Sequence, residues 1–522
     1  MPSCPRAHSH TSTRYAKIQR KSGSEMRANN QKGLSMGNNV EVLGRLDIAL
    51  PDHQELVRRL AGLGQEHVYA FYDRLSAAEK LNLDRQVASI DWPLVRRLID
   101  TVVLHPQPFS FPENILPAPY FENKPHAPDR QKKYQLARRC GEELLRMGKV
   151  AAFVVAGGQS SRLGWDGPKG IFPATPVRHK PLFQYFAEFL LAMQKRFDCT
   201  IPFYIMTSTV NHAATTAFWK KHGHFGLSEK QLMFFPQDML PAVSFAGKVL
   251  LESPGSLALS PNGHGGSLLA LYKSGAVADM AGRGIEQISY FQVDNPIVRC
   301  VDPLFIGLHV LENADMSCKM LPKAFGKEKL GNFCLRNGKL TVIEYSDMPD
   351  SLAEQRLADG QLRFRLGSIA LHVLRRDFVE RLNRNGLALS YHRAEKKVPY
   401  VDPSGGKQVK PEKPNAVKME MFVCDALPWA RHGVVYETDR VDEFAPIKQL
   451  EGIDSLVTSH QITTQRNAAW LEAAGATIPR KPDGTPDCML EIAPSFALYA
   501  EDVAAKKLRL APIPPGGAVY LA

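Results

Sequence analysis

The sequence predicts an α/β protein built on a doubly wound, mixed but mostly parallel sheet, with a helical region before it and a small domain after it. Three observations carry that expectation. Short continuous apolar runs, at residues 150–156 and 288–293, end in glycine or aspartate, as strands buried on both faces do. They belong to a series in which strand-like and helix-like segments alternate, the pattern of a parallel sheet. Before that series, residues 42–147 show helical spacing.

The chain has 522 residues, 44% of them hydrophobic, enough for two or three domains. The boundaries expected are a disordered basic tail (1–40), a helical N-terminal domain (41–148), the α/β domain (149–454) and a small C-terminal domain (455–522). No run reaches the roughly 18 consecutive apolar residues of a membrane helix. The eight cysteines are scattered, with no CxxC pair, so reduced thiols in a cytoplasmic protein are expected. Half of the net charge of +12 sits in the first forty residues, where seven basic residues face Glu25 alone. That segment lacks the apolar core of a signal peptide and reads as a solvated tail, or as an extension upstream of initiation at Met36. No nucleic-acid or membrane partner is expected from it, and the protein is expected to be a monomer or weak homo-oligomer.

Taken in order, Leu56, Leu60, Leu63, Val68, Phe71, Tyr72 and Leu75 recur at three- and four-residue spacing. Ser76 with Glu79 forms a capping-box signature, and Pro93 suits the first turn of another helix. Residues 106–128 are proline-rich, and 134–147 are helical. Strands are predicted at 201–207, 231–235 and 288–293, and helices at 182–194, 211–222 and from 266. Asn337-Gly338 is the strongest hairpin signal in the chain, a type I′ turn, and a second hairpin is expected near 403–406. A strand at 434–437 and a helix at 465–474 complete the pattern.

The chemistry concentrates in residues 150–170, VAAFVVAGGQSSRLGWDGPKG. Glycines just past a buried strand let backbone N–H groups approach a ligand, and Arg162 and Lys169 in the same loop say that the ligand is anionic. Neither the Walker pattern nor GxGxxG is present. The plain alternative is a strand-to-helix turn with two solvated cations. A second glycine loop, Gly263-His264-Gly265-Gly266, opens a helix. Asp294 closes an apolar strand, where a carboxylate can hold Mg²⁺ against phosphate oxygens, although aspartate is common in any turn. In sheets of this kind ligands bind beyond the carboxyl ends of the strands, so Gly158, Asp294 and the residues after Thr207 are expected to share one crevice. Of the lysines between 396 and 418, one or two suit phosphate and the rest a solvated face.

The loop AGGQSSRLGWDGPKG resembles the signature of the eukaryotic-type UDP-sugar pyrophosphorylases, particularly the UDP-N-acetylhexosamine pyrophosphorylases. IPFYIMTS, FFPQDMLPAVSF, GHGGSLLAL, VDNPIVRCVDPLFIG, VIEYSDM, YHRAEKKVPYVD, KPNAVKMEMFVCD and VVYETDRVDEFAPIK follow that family's blocks in its order. The resemblance implies a Rossmann-like nucleotidyltransferase fold of the GT-A type and attack by a sugar 1-phosphate on the α-phosphate of UTP, with Mg²⁺ as cofactor. By the same resemblance Ala156, Gly157 and Gly158 hold the nucleotide, Gln237 and Gly263 read uracil, and Arg162, Lys169 and Lys418 steady the phosphates. Asp294 would ligate the metal. His264, Glu344, Tyr345, Ser368 and Lys448 would surround the sugar phosphate.

Two positions depart from the N-acetylhexosamine pattern. His264 stands where those members carry Asn in GNGG, and Ser368, in Arg365-Leu366-Gly367-Ser368, stands at the last Asn of NAGN. A GHG loop is typical of relatives using glucose or other hexose 1-phosphates. A lost hydrogen bond in a buried site costs about 1–3 kcal/mol, enough to move substrate preference. N-acetylglucosamine 1-phosphate and glucose 1-phosphate are therefore both open. A non-catalytic nucleotide-sugar-binding regulator is the alternative from another class. Retention of Arg162, Lys169, Asp294 and Lys418 together argues against it.

Overall fold

A ten-stranded mixed sheet runs through the centre of the computed structural model, which describes residues 50–106, 111–112, 114–387, 389–508 and 510–522. The basic tail expected at 1–40 lies outside the described residues. Leu50–Ala522 cluster as one unit. The strands of the sheet are β1 (Ile115–Pro117), β2 (Val150–Val155), β3 (Phe203–Thr207), β4 (Leu232–Pro236), β5 (Gln287–Gln292), β6 (Met316–Pro322), β7 (Asn332–Arg336), β8 (Lys339–Ile343), β9 (Leu366–Arg375) and β10 (Gly433–Glu437).

Its heart is parallel, in the order β4-β3-β2-β5, with Ala152 opposite Phe203 and Tyr290 opposite Phe153. Antiparallel pairing then begins at β9, which lies against β5, β6 and β7. β10 lies parallel to β6, and β8 and β1 flank β7. Alternate residues of β2 enter opposite cores. Ala152 and Val154 pack with the helix Leu182–Phe197, and Ala151 and Phe153 pack with the helices Gly266–Lys273 and Ala276–Gly282. Both faces are therefore covered, which is why these strands are apolar throughout.

The helical region before the sheet forms a packing layer. Leu56, Leu60, Val87 and Trp92 bury themselves against Leu240, Val243, Val417 and Met419, and so against the strand Ala416–Glu420. The Ser76–Glu79 capping box forms as expected, and Pro93 sits in the first turn of Trp92–Leu98. Leu63–Leu75 departs from the predicted helix. Gly62 ends His53–Ala61, Gly64 turns at φ 66°, and two single 3-10 turns follow. There Tyr69 and Tyr72 donate to the buried carboxylate of Asp84 at 2.9 and 2.6 Å, bonds that a continuous helix would misplace.

Asn337 and Gly338 take the positive φ values of a type I′ turn (51° and 76°) between β7 and β8. The second hairpin also forms, pairing Tyr400–Val401 with Gln408–Val409. The helix predicted at 465–474 is longer, Leu456–Ala473, because Ser455 caps it early. Its apolar side packs on the parallel strands Cys488–Ile492 and Gly517–Leu521. Glu491 then ties this segment to the main body by accepting from the backbone N–H groups of Val177 and Arg178 at 2.8 and 2.7 Å. Among the described residues no helix is long and apolar enough to cross a membrane.

One buried ionic network locks β6 to the chain that follows β10. The Lys319 ammonium, 2% exposed, donates to Asp302 at 2.6 Å and to both oxygens of Glu443 at 2.7 and 2.6 Å. Burial opposes ionisation of Asp302, but Lys319 and Arg299 outweigh it and bring its carboxyl down to about 2. Removing one partner of such a cluster leaves a charge buried without compensation, so Lys319→Ala is expected to cost about 3–5 kcal/mol in chemical denaturation. Because the Asp302 pKa is depressed on folding, its contribution is complete above the ordinary aspartate value and is lost as pH falls toward about 2. Acid titration of the unfolding midpoint is expected to show that limb in the native protein and to lose it in Asp302→Asn.

Candidate functional site

Because β2, β3, β4 and β5 run parallel, their carboxyl ends open on one edge of the sheet. Ala156 follows β2 and donates to the Met206 carbonyl at 2.8 Å; Gln237 follows β4 and donates to the Thr207 carbonyl at 2.9 Å. At Gly157 a Cβ would come to 3.0 Å from Gln237 Oε1, so a side chain there would press on that amide. Gln237, 4% exposed, points its amide at Asn262 Oδ1 (3.3 Å) and the Gly263 carbonyl (3.5 Å). The expected nucleotide residues Ala156, Gly157, Gly158, Gln237 and Gly263 are thus brought together.

The loop after β2 folds back on itself. Ser160 N–H donates to the Gly167 carbonyl and Lys169 N–H to the Gly158 carbonyl, both at 3.1 Å. Lys169 Nζ thereby reaches within 3.7 Å of Asp294 Oδ2 across the crevice, and both side chains remain partly exposed. Arg162, on the turn Ser161–Leu163, is exposed and makes no ion pair among the described residues. Lys448 stands on the same side, since Ile447 N–H donates to the Asp294 carbonyl at 2.9 Å, and its ammonium is paired with Asp454 at 2.8 Å.

The second glycine loop is spliced to residues 421–423 through backbone. Gly265 N–H donates to the Met421 carbonyl at 2.8 Å, and Met421 N–H to the Asn262 carbonyl at 2.9 Å. Gly263 has φ 83°, and a Cβ there would lie 2.4 Å from the Met421 carbonyl oxygen. The strand Ala416–Glu420 feeds this splice and carries Lys418 on the face opposite Val417 and Met419. His264 Nδ1 accepts from Val423 N–H at 3.2 Å, and burial pushes its imidazole down to about 4, so the ring is neutral.

Beside this splice lies a cavity of about 410 Å³ lined by Glu344, His392, Phe422, Cys424, Asp425 and Trp429, among others. Glu344 faces it, and burial raises its carboxyl above the ordinary range. Ser368 adjoins it by contacting Cys424 Sγ at 3.7 Å, and His264 adjoins it by stacking on Phe422 at 5.3 Å. Tyr345, 45% exposed, does not line it. The expected sugar residues therefore divide. Glu344 lines the cavity, Ser368 and His264 sit behind its wall through Cys424 and Phe422, and Lys448 stands with Asp294.

Three groups of the site escaped sequence reasoning. Asn211, fully buried, donates to the carbonyls of Ala156 (3.0 Å) and Gly158 (3.3 Å) and fixes the turn of the loop. Asn262 supports Gln237, and His392 pairs with Asp425 at 2.7 Å in the cavity wall. Asn262 was visible beside the GHGG loop; the other two act only through tertiary contacts.

As for a metal, no group of three His, Cys, Asp or Glu side chains among the described residues is arranged to hold one. Asp294 stands as a lone carboxylate beside a cation. That donor set suits Mg²⁺, which binds through one or two carboxylates while phosphates and water complete its octahedron.

The chain as a whole is similar to known proteins. The family model for UTP–glucose-1-phosphate uridylyltransferase matches residues 122–481. UDP-N-acetylhexosamine pyrophosphorylase-like protein 1 of Homo sapiens is 34% identical over 481 residues, covering 87% of this chain and 94% of that protein. UDP-N-acetylglucosamine diphosphorylase 2 of Arabidopsis thaliana is 34% identical over 447 residues, covering 81% and 86%. The uridine diphosphate N-acetylglucosamine pyrophosphorylase of Trypanosoma brucei, crystallised in complex with inhibitor, superposes with a TM-score of 0.73 over 90% of this chain and 98% of that one. At 23% identity that likeness speaks for the fold alone.

The two glycine loops differ in what a methyl group would do. At Gly263 it meets backbone, so Gly263→Ala is expected to lower thermal stability. At Gly158 the nearest atom is Lys169 Cδ at 4.0 Å, so Gly158→Ala is expected to melt like the wild type while weakening UTP binding in calorimetry.

Proposed function

The chain belongs to the UTP–glucose-1-phosphate uridylyltransferase family, and from that premise we propose that it joins UTP to a sugar 1-phosphate, forming a UDP-sugar and pyrophosphate. The observation that carries the proposal is the pairing of Lys169 with Asp294 at 3.7 Å across a crevice at the ends of four parallel strands. An ammonium and a carboxylate so placed, both reachable, suit a polyanionic ligand arriving with a counter-cation.

In the proposed reaction a phosphate oxygen of the sugar 1-phosphate attacks the α-phosphorus of UTP, and the bond from that phosphorus to the bridging oxygen breaks. Pyrophosphate leaves with the electron pair. No covalent enzyme intermediate is required, so alignment and charge neutralisation supply the rate. Gln237 presents an amide to the uracil edge beside the Gly263 carbonyl. The N–H groups of Gly157 and Gly158 approach the phosphates, Lys169 exchanges its carboxylate partner for phosphate oxygen, and Arg162 reaches in from solvent. Lys418 neutralises charge on the leaving side, and Lys448 serves the sugar phosphate. Asp294 would hold Mg²⁺, which would offset charge on the triphosphate.

The relatives are named for N-acetylhexosamines, which favours N-acetylglucosamine 1-phosphate as the sugar substrate. His264 and Ser368 keep glucose 1-phosphate in contention. Purified protein with Mg²⁺, UTP and a panel of glucose, N-acetylglucosamine and N-acetylgalactosamine 1-phosphates is expected to release pyrophosphate. A folded, UTP-binding sample that stays silent across the panel would refute the proposal. Asp294→Ala and Lys418→Ala are each expected to lower kcat by about a hundredfold or more while unfolding within about 1 kcal/mol of the wild type.

A further inference from the structure

The cavity beside the Asn262–Gly266 splice holds an ionisable pair that the site residues above leave without a role. His392 opens the strand His392–Lys396, and its Nε2 hydrogen-bonds Asp425 Oδ2 at 2.7 Å. Its ring stacks on Phe422 with centroids 4.3 Å apart and planes 20° apart, and Phe422 also stacks on His264. The segment 422–425 thus grips both imidazoles, one through Val423 N–H and the other through the Asp425 carboxylate.

The two rings are held for opposite chemistry. His264 is a neutral ring whose Nδ1 is already occupied as an acceptor. His392 directs Nε2 at a carboxylate, and its Nδ1 makes no hydrogen bond among the described residues. Of the polar groups lining this part of the cavity, Glu344 and Asp425 are acceptors when ionised. A sugar presents hydroxyl oxygens that need donors as well as hydroxyl protons that need acceptors. The protonated His392 ring is placed to supply a donor, Nδ1–H, between these acceptors, in addition to the Arg336 and Lys339 side chains that line the same cavity.

Resting on the uridylyltransferase reading, we infer that His392, oriented by Asp425 and by stacking on Phe422, is a recognition residue for the sugar half of the substrate, binding it as an imidazolium. The charges around it favour that state. Asp425 contacts it, Glu344 and Asp347 face it from the chain after β8, and Glu420 pairs with it across the neighbouring strand. Arg336 and Lys339 line the same cavity and oppose it, and His264 lies beyond Phe422. Its neighbour Arg393 donates instead to the carbonyls of Val102 and Val103. Burial lowers the affinity of His392 for a proton, yet the hydrogen bond and charge of Asp425, with Glu344 and Asp347, raise it above the ordinary histidine value. When the imidazolium loses its proton, Nε2–H stays on Asp425 and Nδ1 turns from donor to acceptor. Recognition of the sugar is therefore strong below that raised pKa and declines as pH climbs through it.

The test measures KM for the sugar 1-phosphate at saturating UTP between pH 6 and 9, with UTP affinity followed separately by calorimetry. In the wild type KM for the sugar phosphate is expected to rise at high pH while UTP affinity stays level across that limb. His392→Gln is expected to raise that KM by about tenfold near pH 6.5, leave UTP affinity within about twofold, and flatten the rise. Asp425→Asn is expected to keep the limb but move it to lower pH, a shift that a merely structural role would not produce. The inference falls if His392→Gln keeps the wild-type KM, or if the limb survives in it unchanged. It falls together with the uridylyltransferase reading if the wild type releases no pyrophosphate, whereas an active wild type with an indifferent His392→Gln overturns this inference alone.

Discussion

Lys319 is an ammonium in a place that water does not reach, and it is tolerated there because Asp302 and Glu443 are held against it. The consequence runs well beyond the ion pair. Glu443 also accepts from the Thr438 hydroxyl, and its carbonyl accepts from the Asn295 amide at 2.6 Å. Asn295 in turn takes the Ala445 N–H, and two residues further on Ile447 bonds the Asp294 carbonyl. A buried charge cluster is weak evidence for net stability, but it is strict about geometry. Here that strictness fixes the register of the chain that carries Lys448 against the strand end that carries Asp294.

The two halves of the site are built from different materials. The crevice at the strand ends is shaped largely by backbone: glycines that leave room and carbonyls pinned by Asn211. The neighbouring cavity is made of side chains, with Glu344 and His392 on its polar wall and Phe422, Cys424 and Trp429 on its apolar one. What joins them is the pair of backbone hydrogen bonds between Asn262–Gly265 and Met421.

The legible parts of the sequence were those set by local physics. Asn337-Gly338 demands positive φ values, Ser76 with Glu79 closes a helix end, and an apolar run ending in glycine can hardly be anything but a buried strand. The crevice was legible for the same reason: parallel strands place Gly158, the residues after Thr207 and Asp294 on one edge whatever the details. The cavity was not. It joins residues near 264, 344, 368, 392 and 425, and its apposition depends on β9 reversing the direction of the sheet and on the splice at Met421. Leu63–Leu75 misled because its apolar spacing is helical, whereas the tyrosine hydroxyls are claimed by Asp84.

The backbone splice at Met421 also says how such a protein can change its diet. On the proposed reading the nucleotide half of the site rests largely on backbone, and carbonyls and N–H groups stay in place when a neighbouring side chain is replaced. The cavity that the proposed reading gives to the sugar is walled by side chains such as Glu344, His392 and Cys424, and a single substitution reshapes it. On that reading, change is easier at the sugar end of the substrate than at the nucleotide end, and proteins built on this scaffold would drift among sugars before they drift among nucleotides.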